Sequence, residues 1–103
     1  MITSSESVIC RKAVEKFGVD TQQIVAMEKL GELIQAISKL ARWEYDNKNL
    51  EELSDYIDDL SGEIADVEIM LEQLKHCYGC HALVEYCRRE KLSKLENALD
   101  DDK

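Results

Sequence analysis

Residues 50–75 carry large apolar side chains at helical spacing, and the chain has no proline to interrupt a helix. A turn of about 100° per residue gathers these side chains into one arc. The arc comprises Leu53, Ile57, Leu60, Ile64, Val67, Leu71 and Leu74. A helix with such an apolar face must pack against other elements, so we expect this segment to organise the fold.

Three further segments show helical periodicity, and none resembles a strand. The first predicted helix starts at a cap on Ser4 or Ser5 and ends near Phe17. The other three span about Gln22–Trp43, Leu50–Lys75 and Ala82–Leu99. Asp20 or Thr21 is expected to cap the second helix, Asn49 with Glu52 the third, and residues 76–81 form the last break. The prediction is an all-α four-helix bundle in a single domain of residues 1–103, with an acidic tail at about 100–103.

The bulk properties exclude some functions. A formal net charge of −9 argues against a nucleic-acid partner, because phosphate backbones require clustered Lys and Arg. No apolar run approaches the roughly 20 residues that span a bilayer, and no secretion signal is visible, so we expect a cytoplasmic protein without a membrane partner.

The second helix is apolar over most of its circumference. Its apolar residues include Val25, Met27, Leu30, Leu33, Ile34, Ala36, Ile37, Leu40 and Ala41. A chain of 103 residues has few elements to cover them, which predicts a homo-oligomer.

Two pairs of carboxylates lie at helical spacing. Glu63 and Asp66 are three residues apart, and Glu28 and Glu32 are four apart, so each pair shares a side of its helix. If the second and third helices pack antiparallel, the four carboxylates converge into a hard-oxygen site suited to magnesium. The alternative is two solvated faces with ordinary ion pairs. Glu68 and Glu72 are expected on the side that meets water.

The segments MEKLGELIQAISKLAR and GEIADVEIMLEQLK resemble the MazG-like proteins of the all-α nucleoside triphosphate pyrophosphatase superfamily. The resemblance covers about residues 22–76, and the flanking helices fit the same four-helix plan. It implies a dimer or a pair of dimers that uses Mg²⁺, with Mn²⁺ as a substitute, to cleave a nucleoside triphosphate into the monophosphate and pyrophosphate. We expect such an activity to serve nucleotide-pool house-cleaning, with regulation of the pool as the alternative.

The family carries a Glu-x-x-Glu motif and a later Glu-x-x-Asp motif, and the second is matched by Glu63 and Asp66. The resemblance implies that Glu32, Glu63 and Asp66 bind the metal and that Glu32 and Glu63 are catalytic. We expect Glu28 to be the fourth ligand, because relatives frequently read Glu-Glu-x-x-Glu and Glu28 is the remaining member of that pair. Lys29 occupies a position that is Glu in relatives. Either Glu28 replaces the missing ligand, or the site is weakened, or Lys29 contacts a substrate phosphate.

Further candidates follow if the protein is an enzyme. Lys39, Arg42 and Lys91 are candidates for holding the phosphates, and Trp43 and Phe17 for stacking on the base. The alternatives are solvated cations and packing aromatic side chains.

Cys77-x-x-Cys80 is flanked by His76 and His81 and followed by Cys87, which together resemble half of a zinc site. Free thiols are the simpler interpretation, with Cys10 and Cys87 as small apolar side chains. Besides the enzyme, two functions therefore stay open. One is a non-catalytic helical oligomerisation or binding module with a degenerate metal site, and the other is a small zinc-binding protein.

Overall fold

A computed structural model describes residues 1–46 and 49–100 of the chain. These residues form helices α1 (Ser4–Phe17), α2 (Val19–Asp46), α3 (Leu50–Tyr78) and α4 (His81–Asp100), without a strand. The predicted all-α class is confirmed. None of these helices is long and apolar enough to cross a membrane. Residues 47–48 of the predicted turn and residues 101–103 of the predicted tail lie outside the described residues.

Helix α3 is the central element, because α1, α2 and α4 all pack against it. Helix α2 runs antiparallel to α3, with Gln22 facing Gln73 and Lys29 facing Asp66. The Gln22 Nε2 donates to Gln73 Oε1 over 2.6 Å, and both side chains are buried. A buried amide without a partner is costly, so this pair fixes the register of the two helices.

The N-terminal caps differ from the predictions. Thr3, rather than Ser4 or Ser5, caps α1: its Oγ1 accepts from the Glu6 backbone N–H, and the Glu6 carboxylate accepts from the Thr3 N–H. Helix α2 starts at Val19, directly after Gly18, so Asp20 and Thr21 lie inside the helix and not at its cap. The acceptor for the early N–H of Gln22 is the Gly18 carbonyl.

The predicted cap of α3 is confirmed at Asn49, whose side chain accepts from the Glu51 N–H at 3.0 Å. The predicted break over residues 76–81 is too long. Helix α3 continues to Tyr78, and only Gly79 and Cys80 separate it from α4. Gly79 has φ 59° and ψ 37°, the left-handed conformation that ends helices, and the Lys75 carbonyl accepts from the N–H groups of Gly79 and Cys80.

The interior is small and contains few large side chains. Its buried apolar residues are Cys10, Ala26, Ala36, Val67 and Met70. Helix α4 buries none of its residues in the described chain, and large apolar side chains of α2 stay exposed, among them Met27 at 64% and Ile34 at 67%. Much apolar surface therefore remains uncovered on the single chain.

Alanine substitutions at Gly62, inside α3, and at Gly79, directly after it, should change the free energy of unfolding in opposite directions. Gly79→Ala should lower the free energy of unfolding by about 1 kcal/mol, because a Cβ disfavours the left-handed conformation. Gly62→Ala should raise it by about 0.5–1 kcal/mol, since Gly62 is mid-helix and a Cβ there meets nothing within 4 Å. Urea unfolding followed by circular dichroism measures both. Equal effects of the two substitutions would contradict this account of the α3–α4 turn.

Candidate functional site

Three carboxylates meet between α2 and α3. Glu32 of α2 and Glu63 and Asp66 of α3 each offer an oxygen, and these oxygens lie within 4.8 Å of one another. We call these three residues the carboxylate cluster. The antiparallel register produces it, because the same packing that places Lys29 opposite Asp66 brings Glu32 to Glu63.

Glu63 has one carboxylate oxygen that water does not reach. Its Oε2 atom is closed to solvent and has no hydrogen-bond partner among the residues that the structure describes. Removal from water raises the pKa of Glu63 above its usual value, and the charges of Glu32 and then of Asp66 raise it further. A carboxylate in such surroundings is stabilised either by a proton or by a nearby cation.

Lys29 supplies part of that positive charge. Its Nζ lies 3.5 Å from Glu32 Oε2 and 3.7 Å from Asp66 Oδ2. The pKa of Lys29 is raised, chiefly by Glu32 and then by Asp66. One ammonium faces three carboxylates, so the cluster keeps an excess of negative charge whenever all three are ionised.

In the described part of the chain, Glu28 is not a member of the carboxylate cluster. Adjacent residues of a helix point about 100° apart, and α3 packs on the side of α2 that carries Lys29. The structure therefore brings together three of the four predicted ligands, with Lys29 beside them. The role of Glu28 as a ligand stays a prediction.

A cleft of about 240 Å³ opens beside the carboxylate cluster. Glu32 and Glu63 line it from the cluster side. The other lining residues are Gln35, Ala36, Lys39 and Asp59. Lys39 is thus a cation in the same cleft as two of the predicted ligands, which is the placement that a phosphate-binding residue requires.

The other predicted substrate residues are not brought to this cleft. Arg42 is not among the described residues that line it, and Lys91 lies on α4 in a separate groove with Leu83 and Leu95. Phe17 ends α1, just before α2 starts at Val19. Glu32 lies 13 residues further along α2, which is about 20 Å at a rise of 1.5 Å per residue. Trp43 has a structural contact, because its Nε1 donates to the Asn49 carbonyl at 2.7 Å.

A second polar cluster lies near the C-terminal end of α3, beyond the carboxylate cluster at its middle. The prediction that Glu72 meets water is wrong: its side chain is 7% exposed. Glu72 Oε2 accepts from Ser7 Oγ of α1 at 2.7 Å and lies 2.7 Å from His81 Nε2 of α4. His76 Nε2 is 3.4 Å from the same oxygen. We call Ser7, Glu72, His76 and His81 the Glu72 cluster.

The electrostatics of the Glu72 cluster favour an ionised carboxylate. Burial raises the pKa of Glu72, but the hydrogen bonds from Ser7 and His81 and the nearby positive charges outweigh burial and lower it overall. Lys75 contributes from the other side, with its Nζ 3.6 Å from Glu72 Oε1.

The cysteines do not join this cluster in the described residues. Glu72, His76 and His81 form a group able to hold a metal ion, and Cys77 and Cys80 are not part of it. All four cysteines are free thiols. Cys10 is buried, whereas Cys87 is exposed and lines an apolar groove with Leu83 and Leu92. The role of Cys87 as a small apolar side chain stays a prediction.

Comparison with known proteins gives no relative: no family model, no curated protein and no solved structure matches this chain at a significant level. The resemblance to MazG-like proteins stays a prediction.

The sequence predictions did not assign Asp59, Glu72 or Ser7 to a site. Asp59 lies one turn before Glu63 and could have been found from that spacing. Glu72 and His76 also share a side of α3, at a separation of four residues. Ser7 gave no signal, because its role depends on how α1 crosses α3.

We predict that Glu63→Gln stabilises the metal-free protein. The substitution removes a charge that burial and two neighbouring carboxylates disfavour, and an amide can donate to Glu32. In the presence of EDTA, Glu63→Gln should melt at a higher temperature than the wild type by scanning calorimetry. Glu68→Gln, an exposed carboxylate on the same helix, is the matched control and should leave the melting temperature nearly unchanged. A lower melting temperature for Glu63→Gln would mean that the ionised form of Glu63 stabilises the fold.

Proposed function

We propose that the protein is a magnesium-dependent nucleoside triphosphate pyrophosphohydrolase that releases the nucleoside monophosphate and pyrophosphate, in nucleotide-pool house-cleaning. The observation that supports it best is the carboxylate cluster, in which Glu63 Oε2 is shielded from water and lacks a partner among the described residues. Oxygen ligands in a hard, acidic setting suit Mg²⁺, with Mn²⁺ as a substitute.

The donor set fits the ion that the proposal requires. Glu32, Glu63 and Asp66 would hold it, leaving the other coordination positions for water and phosphate oxygens. When bound, magnesium supplies neutralisation of the triphosphate and polarisation of the attacking water. Lys29 compensates only part of the negative charge of the three carboxylates. A divalent cation should therefore bind.

The residues of the cleft would accept the proton, position the water and bind the phosphates. Glu32 accepts the proton of the water that attacks the α-phosphorus, as the pyrophosphate departs. Glu63 positions that water from across the cleft. Lys39 binds the phosphates from the cleft wall, and Lys29 lies close enough to the cluster to contact a phosphate oxygen.

The expected result for the wild type is release of pyrophosphate, and not of inorganic phosphate, from at least one normal or modified nucleoside triphosphate with Mg²⁺. Asp66→Asn should lower the rate by about 100-fold or more, because a metal ligand is lost. Glu28→Gln is the control. It should retain most of the activity if the carboxylate cluster works as the structure arranges it, and lose as much as Glu32→Gln if Glu28 is a ligand.

One observation favours a second candidate, a non-catalytic helical oligomerisation or binding module with a degenerate metal site. Lys29 Nζ lies between Glu32 and Asp66, where a bound cation would lie, and it can replace the metal as the neutralising charge. In that case no triphosphate releases pyrophosphate and Mg²⁺ leaves the wild-type melting temperature unchanged. Lys29→Glu would then create a magnesium-dependent rise in melting temperature.

We further propose that the protein works as a homodimer or homotetramer. An apolar stripe of α2 supports this, because Met27, Leu30, Ile34 and Ile37 follow one another at helical spacing and are all exposed. Helix α4 adds exposed Leu83, Leu92, Leu95 and Leu99. Uncovered apolar area of this kind is typical of subunit interfaces.

Two isoleucines with equal exposure provide a matched test of this interface. Ile34 and Ile9 are each 67% exposed, but only Ile34 belongs to the α2 stripe. Ile34→Glu should shift the oligomer to monomer at micromolar concentration, because a charge in an apolar interface is costly. Ile9→Glu should leave the mass unchanged. Light scattering after size exclusion measures both, and a monomeric wild type would contradict the proposal.

A further inference from the structure

The Glu72 cluster has the composition and placement of a transition-metal site that is separate from the carboxylate cluster. Two imidazoles and one carboxylate approach one another at the junction of α1, α3 and α4. The rings of His76 and His81 lie 4.5 Å apart between centroids and face each other edge to face. Their Nε2 atoms lie 3.4 Å (His76) and 2.7 Å (His81) from the same atom, Glu72 Oε2.

Without a metal, the side chains of the Glu72 cluster satisfy one another through hydrogen bonds. Ser7 Oγ and His81 Nε2 both lie 2.7 Å from Glu72 Oε2, which satisfies that oxygen. His76 Nε2, at 3.4 Å from the same oxygen, turns instead to Ser7 Oγ at 2.8 Å. A metal ion would give both imidazole nitrogens and the carboxylate oxygen one common partner.

The distances are close to those of a zinc site. With zinc–nitrogen and zinc–oxygen bonds of about 2.0 Å, neighbouring ligand atoms of a tetrahedral site lie about 3.3 Å apart. His76 Nε2 and Glu72 Oε2 already have a separation of 3.4 Å. His81 lies closer to the carboxylate, at 2.7 Å, and must move outward by about 0.6 Å to reach the tetrahedral spacing. It is the most exposed of the three, at 41%, and it follows the turn at Gly79 and Cys80.

The surroundings supply the outer shell that a metal-binding carboxylate needs. Ser7 donates to Glu72 Oε2, and Lys75 lies 3.6 Å from Oε1, so the carboxylate is held from both sides. We propose that Glu72, His76 and His81 bind one Zn²⁺ ion, with water as the fourth ligand. The ion would tie α4 to α3 across the short turn, where the two helices otherwise share little packing.

Ligand chemistry favours zinc over magnesium at this position. Imidazole nitrogen suits zinc and other late first-row ions, whereas magnesium prefers oxygen ligands. The two clusters should therefore select different ions. This inference does not depend on the proposed hydrolase activity.

Zinc chloride titrated into the metal-free full-length chain, in competition with a chromophoric chelator, tests the proposal. The wild type should bind one equivalent at submicromolar free zinc and melt at a higher temperature with zinc bound. His81→Gln and His76→Gln, which keep a donor towards Glu72, should each lower the affinity by about 100-fold or more, and Ser7→Ala by about 10-fold. Circular dichroism checks that each variant is folded.

Matched controls separate this site from the other candidates. Cys77→Ser and Cys80→Ser remove the neighbouring thiols, and Asp66→Asn alters the carboxylate cluster. None of the three should change the binding of this equivalent. Full zinc affinity in folded His76→Gln and His81→Gln, or its loss in the cysteine variants, would overturn the assignment.

Cobalt substitution of the wild type gives a readout that needs no variant. Co²⁺ bound by two imidazoles, a carboxylate and water should show the relatively strong visible d–d bands of a four-coordinate ion, without the intense near-ultraviolet thiolate charge-transfer band. The appearance of that thiolate band would assign the ligands to the cysteines. Absence of any zinc binding at micromolar free zinc would refute the site altogether.

Discussion

Where α2 meets α3, charged and amide side chains face each other across a seam that also buries Ala26, Ala36, Val67 and Met70. The small alanines of α2 allow the two helices to approach closely, and this approach forces the polar groups opposite them into contact. The buried pair of Gln22 and Gln73 fixes the register by the cost of leaving either amide unpaired. The carboxylate cluster, the position of Lys29 and the cleft beside them all depend on that register.

The two polar clusters sit at different places along α3 and differ in how their charge is compensated. Between α2 and α3, three carboxylates face one lysine, and Glu63 retains a shielded oxygen without a partner among the described residues. Near the C-terminus of α3, one carboxylate is surrounded by two imidazoles, a hydroxyl and an ammonium. In the first arrangement, one ammonium is too little positive charge for three carboxylates. In the second, a single carboxylate lies among several hydrogen-bond donors. Their chemistry therefore points to a hard cation in one case and a borderline one in the other.

Apolar surface is distributed in a way that connects the fold to assembly. The interior buries mainly small side chains, while Ile34, Met27 and the leucines of α4 remain exposed. A single chain with so little buried apolar area gains little from the hydrophobic effect, so a partner that covers α2 and α4 would contribute much of the stability. Helix α4 would gain most from such a partner, since none of its described residues is buried and it shares little packing with α3.

The sequence alone determined the helical class, the approximate extent of all four helices and the pairing of Glu63 with Asp66, because these follow from local periodicity and spacing. It also placed Glu32 correctly beside them, given antiparallel packing. Side-chain partners across helices depended on the tertiary structure. The side of α2 that packs on α3 turns Lys29 and not Glu28 towards the cluster. The crossing of α1 over α3 buries Glu72 under Ser7, and the single-turn reversal at Gly79 brings His81 back to the same carboxylate. Periodicity gives the direction of a side chain relative to its own helix axis, and only packing decides which neighbour lies in that direction.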